Sequence, residues 1–430
     1  MPPSPLTIAK LTKPTSGTIA GWVANVRSSG ALIFLQVRDG TGVIQAVVAK
    51  DAVDAKTFAA AKDATLESSV RITGEVKNEP RSPSGWEMKV VQFELVQKAA
   101  EYPIGKKEHG PDFLLDQRHL WLRSEKQSAI LRLRDEVVWQ LRSWLHAHDF
   151  VLTDSPILTP TAAEGTTTLF KTDYFGEPAF LAQTGQLYLE ATAMALGRVY
   201  DFGPTFRAEK SKTRKHLVEF WMMDAEAAFV DHVGNLEIQE HLIADVIAET
   251  VKARLRELEI LGRDVSTLAK ITAPFPRLTY DEAVARLIKQ GSKIKLGDDF
   301  GAPEEELISQ DYDQPVFIEF FPTTIKAFYM QPHPDHPERV LCADLIAPEG
   351  FGEIIGGSQR IDDYELLKKR LREWKLKESD YAWYLDLRKY GSVPHSGFGI
   401  GLERLVRWIG GIEHIREAIP FPRLLNRLRP

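Results

Sequence analysis

Five short strand-like runs in the first hundred residues restrict the fold more than any other feature of the chain. They cover residues 17–27, 31–40, 42–50, 68–78 and 85–97, and they alternate apolar with polar side chains or are rich in β-branched and aromatic residues. Asp39-Gly40 and Thr41-Gly42 predict a tight turn between the second and third runs. An Ala-rich, helix-like segment at 52–64 separates the third and fourth runs. This order predicts an OB-type barrel, although a five-stranded barrel without a ligand has the same pattern.

The length of 430 residues is too great for a single core, so we expect at least two domains. We assign residues 1–98 to the barrel, 99–125 to a hinge with mixed charge and little periodicity, and 126–430 to a second domain. A helix capped by Ser124 opens that domain, with apolar residues from Ile130 to Leu145 on one face. From Phe180 onward strands alternate with helices, including a helical insertion at about 232–310. Recurring hairpins predict an α+β domain with a mainly antiparallel sheet flanked by helices.

Composition excludes several classes of protein. No apolar run could span a bilayer, and the first residues lack the apolar core of a secretory signal. The single cysteine, Cys342, excludes an internal disulfide framework and a multi-cysteine zinc site. These features predict a cytoplasmic protein with no membrane partner. The net charge is -6, but residues 1–98 have more basic than acidic residues, so this part is where we expect contact with phosphates.

A basic loop flanked by two strand-like runs is the first candidate functional segment. Residues 206–220 read FRAEKSKTRKHLVEF, with Arg207 at the end of one run and His216 at the start of the other. An arginine can make bidentate contacts with phosphoryl or carboxylate oxygens, and loop cations can neutralise a leaving pyrophosphate. Taken alone, the segment is also typical of a solvated turn.

A glycine-rich run that opens a helix is the second candidate segment. Residues 396–408 read SGFGIGLERLVRW, in which the glycines allow a ligand close to the backbone and Arg404 can stack on an aromatic base. Many strand-to-helix turns have the same glycine pattern, and no G-K-[ST] follows as in a P-loop.

Two carboxylates make up the third candidate. Asp344 and Glu353 lie on neighbouring extended segments and could share Mg²⁺, although either could equally be an ordinary salt-bridge partner. Arg360 is an odd number of residues beyond Glu353, which places it on the opposite strand face unless a bulge intervenes. We expect such a bulge at Gly356-Gly357.

Together these segments resemble the signature motifs of class II aminoacyl-tRNA synthetases. Residues 133–160, with Pro156, resemble motif 1, residues 206–220 motif 2 and residues 396–408 motif 3. The order barrel, hinge and motifs is that of the aspartyl/asparaginyl/lysyl subgroup. The resemblance implies ATP and Mg²⁺ for amino-acid activation, transfer to tRNA, and a homodimer formed through motif 1, with no DNA partner.

The resemblance also implies roles for individual residues. Arg207 would bridge the α-phosphate of ATP and the carboxylate of the amino acid, and Asp344 and Glu353 would bind Mg²⁺. The ATP-binding residues would be Arg207, Glu209, Arg214, His216, Phe220, Glu353, Gly399, Gly401 and Arg404, with Arg207, Glu209, His216 and Arg404 as the catalytic set. The amino-acid-binding residues would be Glu164, Thr184, Gln186, Leu189, Arg207, Asp224 and Arg360.

The pocket residues favour asparagine over aspartate as the substrate. Subgroup members that use aspartate have Lys where this chain has Leu189, and a buried aspartate carboxylate without that cation would be only half paired. Arg360 could donate to the amide oxygen and Asp224 could accept from the amide NH₂. Asparaginyl enzymes usually have Glu at the position of Asp224, so a bridging water could complete that contact.

On the barrel, the resemblance places Arg27, Phe34 and Gln45 at the anticodon-binding face. Phe34 could stack on an unpaired base and Gln45 could read its edge, although from the sequence alone Phe34 could equally belong to the barrel core. We therefore expect the tRNA for asparagine as the partner. Three alternatives remain open: a non-discriminating aspartyl enzyme, a paralogue that makes free asparagine from aspartate, and an inactive tRNA-binding module.

Overall fold

The computed structural model describes residues 5–105, 107–163, 169–210 and 216–430. The chain divides into two compact units between Leu114 and Leu115. This division falls inside the region 99–125 that the sequence analysis assigned to a hinge.

The first unit is a closed five-stranded barrel. Its strands are β1 (Thr15–Ser29), β2 (Leu32–Arg38), β3 (Val43–Ala49), β4 (Ser69–Asn78) and β5 (Trp86–Gln97), in the order β1-β2-β3-β5-β4. Helix α1 (Ala55–Asp63) lies between β3 and β4 and is capped by Asp54, whose carboxylate accepts from the backbone N–H of Thr57 at 2.7 Å. The alternation of each strand turns Ile19, Leu35 and similar residues inward. The predicted OB-fold barrel is confirmed.

The end of the expected hinge is part of the second unit. Helices α2 (Pro111–Asp116) and α3 (Arg118–Trp121) replace the irregular chain expected there. Arg118 is 1% exposed, and its guanidinium donates to the backbone oxygens of Ile419 and Pro420, each at 2.8 Å, and to Oε1 of Gln127 at 2.6 Å. Periodicity could not reveal this because the contacts join residues about three hundred positions apart.

Helix α4 (Glu125–Ala147) follows α3 within the second unit and begins after Ser124, as predicted. The hydroxyl of Ser124 accepts from the backbone N–H of Gln127 at 3.3 Å, which satisfies one of the free N–H groups at the helix start. The buried face carries Ile130, Leu133, Val137, Leu141 and Leu145, and it packs against the main core of this unit.

A nine-stranded sheet forms the centre of the second unit in the described part of the chain. Its order is β13-β14-β15-β16-β17-β12-β10-β6, with β11 also paired to β12. These strands are β6 (Val151–Leu152), β10 (Arg198–Tyr200), β11 (Gly203–Phe206), β12 (Glu219–Ala228), β13 (Arg277–Thr279), β14 (Val316–Glu319), β15 (Cys342–Ala347), β16 (Gly352–Gln359) and β17 (His395–Gly401). Only the pairs β13-β14 and β6-β10 are parallel among them, so the expected mainly antiparallel sheet is confirmed.

Helices and a small sheet surround the nine strands. The small sheet contains β7 (Leu158–Thr159), β8 (Lys171–Tyr174) and β9 (Glu177–Leu181). The helices are α5 (Gln186–Leu196), α6 (His232–Ala253), α7 (Leu255–Ile260), α8 (Val265–Leu268), α9 (Tyr280–Lys289), α10 (Ala302–Ser309), α11 (Tyr364–Glu373), α12 (Ala382–Asp386) and α13 (Leu402–Ile409).

The region 232–310, which the sequence analysis expected to be a helical insertion, is mainly helical and also contains strand β13. Helix α6 packs on α4 within the main core, where Leu236 and Ile243 lie fully buried. Strand β13 adds the outermost strand at one edge of the central sheet. Among the described residues, no helix combines the length and hydrophobicity needed to cross a bilayer.

Candidate active site

A cavity of about 520 Å³ lies against the central strands of the second unit. The predicted site residues that line it are Thr184, Gln186, Arg207, Glu209, His216, Phe220, Asp224, Asp344, Glu353, Arg360, Gly399, Gly401 and Arg404. These residues come from distant stretches of the chain that the sheet brings together. Glu164 and Arg214, which the sequence also predicted, lie outside the described residues.

The floor of the cavity is one row of residues across four neighbouring strands. The register pairs Asp224 of β12 with Gly399 of β17, Gly399 with Gly356 of β16, and Gly356 with Asp344 of β15. A carboxylate therefore stands at each end of the row and two glycines form its middle. Three strand spacings separate the ends, a span of about 14 Å.

The middle of this row has no room for side chains. A Cβ atom added at Gly399 would lie 2.5 Å from Oδ1 of Asp224 and 3.2 Å from Sδ of Met222. At Gly356 an added Cβ would lie 3.3 Å from Oε1 of Glu353 and 3.7 Å from Oδ1 of Asp344. The glycines thus leave a flat backbone surface on which a ligand can rest.

The hairpin of β11 and β12 positions Arg207 at one side of the cavity. Arg207 follows β11 directly, and its backbone N–H donates to the oxygen of Val218 at 3.0 Å. Its guanidinium carbon lies 5.6 Å from the ring centre of Phe220. The Nε atom is buried and has no hydrogen-bond partner among the described residues. A buried donor of this kind is suited to an anionic ligand.

Glu209 and His216 approach each other where the described part of this hairpin ends. His216 Nε2 lies 4.0 Å from Oε2 of Glu209, and both side chains are about one-third exposed. Burial, and then the charge of Arg404, lower the pKa of His216. The imidazole is therefore mostly neutral at neutral pH and can act as a hydrogen-bond donor or acceptor.

Two ion pairs surround the Asp344 end of the row. Arg404, in the first turn of α13, donates from Nη1 to Oε2 of Glu353 at 2.8 Å and to its backbone oxygen at 3.0 Å. Lys326 donates from Nζ to Oδ2 of Asp344 at 2.6 Å. Burial, with a further contribution from Glu353, raises the pKa of Asp344 to about 7, although Lys326 opposes the increase. The two carboxylates are thus close enough to repel each other.

A β-bulge turns Glu353 and Arg360 toward the same cavity. The register between β15 and β16 is regular at Gly356 and Gly357 but shifts between Glu353 and Ile355, which makes Ile354 the extra residue. A bulge was expected at the two glycines, so its predicted position is wrong. Glu353 and Arg360 nevertheless reach the same cavity, as expected for a bulge between them, because one extra residue changes the strand face on which the later side chains lie.

Asp224 is held in place by the start of α5. Its Oδ2 accepts from Oγ1 of Thr184 at 2.6 Å and from the backbone N–H of Gly185 at 2.9 Å. No described residue donates a hydrogen bond to its Oδ1, which lies beside Gly399. Burial raises the pKa of Asp224, whereas these two donors oppose the increase. One oxygen of Asp224 is therefore fixed and the other is available to a ligand.

Arg360 is 3% exposed and is neutralised by Glu226. Its Nε and Nη2 donate to Oε1 of Glu226 at 3.1 and 2.5 Å, and its Nη1 donates to Oγ of Ser358 at 2.6 Å. Burial raises the pKa of Glu226 to about 7, although Arg360 opposes the increase. A guanidinium has five N–H donors, so Arg360 retains donors for a ligand without presenting an unpaired positive charge.

Comparison with known proteins identifies the family. The family described as tRNA synthetases class II (D, K and N) matches residues 110–425, and an OB-fold nucleic acid binding domain matches residues 18–96. The chain is 59% identical to the asparagine–tRNA ligase of Pelotomaculum thermopropionicum and 56% identical to that of Symbiobacterium thermophilum, over 96% of each chain. The chain belongs to the asparaginyl-tRNA synthetase family.

A solved structure of the same family has the same fold. The asparaginyl-tRNA synthetase from Pyrococcus horikoshii, complexed with asparaginyl-adenylate, superposes with a TM-score of 0.95 at 45% identity over 97% of both chains. The similarity extends over both units, so it includes the barrel as well as the synthetase domain.

Leu189 does not line the cavity of this asparaginyl-family chain, contrary to the sequence prediction. It is fully buried in a small cluster with Ala193 and with Val199 of β10. Gln186 and Leu189 are only three residues apart on α5, but Gln186 reaches the cavity whereas Leu189 is covered by this packing. Leu189 can influence the substrate only indirectly.

The sequence analysis missed several charged residues at the site. Asp299, Glu305, Lys326 and Glu403 line the cavity, and the buried Glu226 and Glu190 support residues that line it. Glu190, in α5, is fully buried. Its carboxylate accepts from Nη2 of Arg388 at 2.6 Å and from Nε2 of Gln186 at 3.1 Å. Burial would raise the pKa of Glu190, but Arg388 and His395 lower it below its usual range. The sequence contained one signal that could have identified such a residue, namely the single charge of Lys326 within an otherwise uncharged run.

On the barrel, Phe34 lies on the outer face of β2. Its neighbours Ile33 and Leu35 are in the barrel core, whereas Phe34 is half-buried and lies outside that core. It pairs across the strands with the exposed Arg27. Gln45 lies on β3, and its Nε2 donates to Oε2 of Glu87 at 2.7 Å. The core alternative for Phe34 is therefore excluded, and all three residues lie on the outer face of neighbouring strands of the barrel.

Proposed function

We propose that the chain activates L-asparagine with ATP and transfers it to the 3′ end of the asparagine tRNA. The observation that carries the proposal is the single cavity that brings Arg207, Asp224, Glu353, Arg360 and Arg404 together. The asparagine–tRNA ligases at 56–59% identity and the likeness to a structure complexed with asparaginyl-adenylate support asparagine over aspartate.

In the first step, the carboxylate of asparagine attacks the α-phosphorus of ATP. A bond forms between the carboxylate oxygen and phosphorus, the bond to the β-phosphate oxygen breaks, and pyrophosphate leaves. Arg207 would hold both reacting groups, since its buried Nε is available to an anion. Phe220 and Arg404 would enclose the adenine with Gly399 and Gly401 beneath, and Glu209 would contact its edge. His216 and Arg214 would bind the distal phosphates.

Asp344 and Glu353 fit a magnesium ion. An atom at the Cβ position of Gly356 would be 3.3 Å from Glu353 and 3.7 Å from Asp344, so both carboxylates are directed at one region of the cavity. Mg²⁺ prefers one or two carboxylates together with phosphate oxygens, and no larger group of potential ligands occurs among the described residues. When bound, the ion would neutralise charge on the phosphates. Asp344 would exchange part of its contact with Lys326 for the ion.

The pocket at the Asp224 end would select the amide. Oδ1 of Asp224 would accept from the amide NH₂, and Arg360 would donate to the amide oxygen. Because Glu226 already neutralises Arg360, an aspartate carboxylate would face Asp224 without a free cation to compensate its charge. Thr184, Gln186 and Glu164 would receive the α-ammonium group.

In the second step, a hydroxyl of the tRNA 3′ end attacks the carbonyl carbon of the adenylate. The ester bond to tRNA forms and AMP leaves with the electrons of the broken bond. Arg27, Phe34 and Gln45 would contact the anticodon on the outer face of the barrel. An exposed aromatic ring beside an arginine supports base stacking in that position.

The proposed homodimer would form through motif 1. This segment exposes several large apolar side chains, and exposed apolar residues of this kind support a protein interface. They are Trp139 at 66% exposure, Val151 at 44%, Leu152 at 41%, Ile157 at 44% and Leu158 at 42%.

The experiment that tests the proposal is ATP–pyrophosphate exchange with asparagine and aspartate measured side by side. We expect a preference for asparagine on the order of 10⁴, the size reached when a site is built around hydrogen bonds to one substrate. Arg207→Ala should reduce exchange by about 10³ while tRNA binding stays nearly unchanged. Arg198→Ala, which removes an arginine outside the cavity, is the matched control.

Each alternative predicts a different result. Comparable exchange with both amino acids would indicate a non-discriminating aspartyl enzyme, and release of free asparagine from aspartate would indicate the amidating paralogue. Exchange with neither would indicate an inactive tRNA-binding module. If Arg207→Ala weakened tRNA binding as much as exchange, its proposed role would be wrong.

A further inference from the structure

Asp201 is a buried carboxyl group that the proposed reaction does not use. It lies between β10 and β11 and is 6% exposed. Its backbone N–H donates to the oxygen of Asp224 at 2.9 Å, and the N–H of Asp224 contacts Oδ1 of Asp201 at 3.4 Å. These two contacts hold the two acidic residues side by side.

Both carboxyl groups lie against Gly185. The backbone N–H of Gly185 donates to Oδ2 of Asp224 at 2.9 Å. A Cβ atom added at Gly185 would lie 1.7 Å from Oδ2 of Asp201 and 2.5 Å from Oγ of Ser155. Only glycine fits between these groups, so the two carboxyl groups are kept near one another by the backbone of a single residue.

Asp201 reaches a second cavity behind the wall of the first. This cavity has a volume of about 210 Å³, and Asp154, Ser155 and Asp201 are among its lining residues. Thr184, Met222 and Asp224 line both cavities. Asp224 therefore separates the two cavities, and Asp201 lies directly behind it as seen from the first cavity.

We propose that Asp201 is a specificity-determining residue whose negative charge, gained as the pH rises, adds to that of Asp224 and strengthens the exclusion of aspartate. The inference rests on the proposed role of Asp224 in receiving the amide. The side chain of asparagine is neutral, whereas that of aspartate is an anion, so an added negative charge disfavours only aspartate. Both substrates have an α-ammonium and an α-carboxylate group. The effect of the charge on Asp201 on these shared groups cancels when kcat/KM for asparagine is divided by kcat/KM for aspartate.

Asp201 changes its charge in an accessible pH range. Burial, followed by the charge of Asp224, raises the pKa of Asp201 to about 8, against an opposing hydrogen bond from Ser155. The carboxyl group is therefore mostly protonated and neutral at pH 7 and mostly ionised at pH 9. We assign the charge present at pH 7 to Asp224, because Thr184 and Gly185 donate to it and Arg207 and Arg360 favour its ionised form.

Among the described residues, two further acids approach Asp201. Asp154 approaches from the segment after β6 and Asp224 from β12, while Arg142 of α4 lies over the ring of Phe202. Within the main cavity, Glu209 and His216 belong to the proposed ATP site and influence both amino acids alike. Glu226, which pairs with Arg360, has a pKa raised to about 7, so its ionisation adds its own change to the ratio between pH 6.5 and 8. The part of the change that is lost in Asp201→Asn is therefore the readout that reports on Asp201.

The experiment compares kcat/KM for asparagine and for aspartate in ATP–pyrophosphate exchange at pH 6.5, 7, 8 and 9. We expect the asparagine-to-aspartate ratio of the unaltered protein to rise on the order of tenfold between pH 7 and 9, as for a unit charge about 10 Å away at an effective dielectric constant of about 20. Asp201→Asn keeps the shape but cannot ionise, so it should lack this rise and retain only the pH dependence that comes from Glu226 and from the two amino acids themselves. Asp154→Asn, which removes an exposed acid from the same cavity, should retain the rise.

A flat ratio in the unaltered protein, or a rise that is equally large in Asp201→Asn, would overturn the proposal. Ser155→Ala provides a second variant if Asp201→Asn does not fold. It removes a hydrogen bond that favours the ionised form of Asp201, so the rise should move to higher pH, and an unmoved rise would count against the proposal.

Asp224→Asn separates this proposal from the one on which it rests. If Asp224 receives the amide, this variant should increase the use of aspartate relative to asparagine already at pH 7. An unchanged ratio at pH 7 would refute the role of Asp224 itself. A changed ratio at pH 7 together with a pH-independent ratio in the unaltered protein would refute the role of Asp201 alone.

Discussion

At the scale of single residues, most of the positively charged side chains that line the cavity are already paired with a carboxylate. The described pairs are Arg360 with Glu226, Arg404 with Glu353 and Lys326 with Asp344. Arg207 has no ion-pair partner among the described residues, and its Nε is buried without a hydrogen bond. Arg207 is therefore the cation of the cavity whose positive charge is least compensated among the described residues, which suits it to charge that develops on the α-phosphate.

Leu189→Lys tests whether Leu189 selects the substrate directly. The side chain of Leu189 is fully buried beside Ala193 and Val199, so a lysine would place an ammonium group in an apolar cluster. We expect a loss of stability of at least about 3 kcal/mol, because the buried charge has no partner, and no selective gain in aspartate use. Thermal unfolding and exchange with both amino acids measure the two effects.

Leu189→Met is the control for this substitution, since it changes shape but adds no charge, and it should cost less than about 1.5 kcal/mol. A folded Leu189→Lys protein that used aspartate in preference would show that the lysine reaches the cavity. That result would support the original prediction that the residue at position 189 selects between asparagine and aspartate directly.

At the scale of elements, the site depends on how four strands are aligned. The row from Asp224 through Gly399 and Gly356 to Asp344 exists only because β12, β17, β16 and β15 pair in one register. A shift of one residue in any strand would turn its member of the row to the opposite face of the sheet. The sheet therefore fixes the distance between the amide pocket and the carboxylates proposed for Mg²⁺.

Gly399→Ala tests the importance of the empty middle of the row. The new methyl group would lie 2.5 Å from Oδ1 of Asp224, so Asp224 must move away from the position proposed to receive the amide. We expect kcat/KM for asparagine to fall by about 10² or more, since a displacement of about 1 Å can have that effect. Steady-state exchange at varied asparagine concentration provides the measurement.

Gly203→Ala serves as its control, because Gly203 is in β11 of the same sheet and an added Cβ would meet nothing within 4 Å. This variant should stay within about threefold of the unaltered protein. If both glycine variants lost activity equally, the cause would be the strands' stability rather than the space beside Asp224.

The same elements show which parts of the site the sequence could predict. Residues that act through their own chemistry, such as Arg207 and Arg404, could be recognised from their motifs and do line the cavity. The exact place of the bulge at Ile354 could not, because it depends on pairing with β15. The pairing of Arg360 with Glu226 was missed for a related reason, since it joins residues 134 positions apart that only the folded sheet brings together.

At the scale of the whole molecule, the secondary structure of the first unit could be predicted more accurately than the boundary between the two units. The barrel has local alternation and short turns, so all five strands and helix α1 were found where expected. The boundary with the second unit was less predictable, because Arg118 belongs to that unit through contacts near residue 420. Short-range periodicity carries no information about such contacts.

A substitution on the barrel should reduce tRNA charging without reducing amino-acid activation, because the two functions are proposed for different units. Phe34→Ala removes a half-buried aromatic ring from the outer face of the barrel, where it is proposed to stack on an anticodon base. Loss of that stacking, worth about 1–3 kcal/mol, should lower kcat/KM for tRNA by roughly 10- to 100-fold. Exchange with asparagine should be unchanged, because every described residue lining the catalytic cavity is in the second unit.

Val91→Ala is the matched control for Phe34→Ala, since Val91 is an apolar residue of the barrel that is 52% exposed on β5. It should leave both tRNA charging and exchange within about twofold of the unaltered protein. Because the two assays use the same enzyme and the same asparagine, a defect confined to charging can arise only at the tRNA. If Phe34→Ala reduced exchange and charging in parallel, its effect would lie in the stability of the protein, and the outer face of β2 would have to be given up as the anticodon-binding surface.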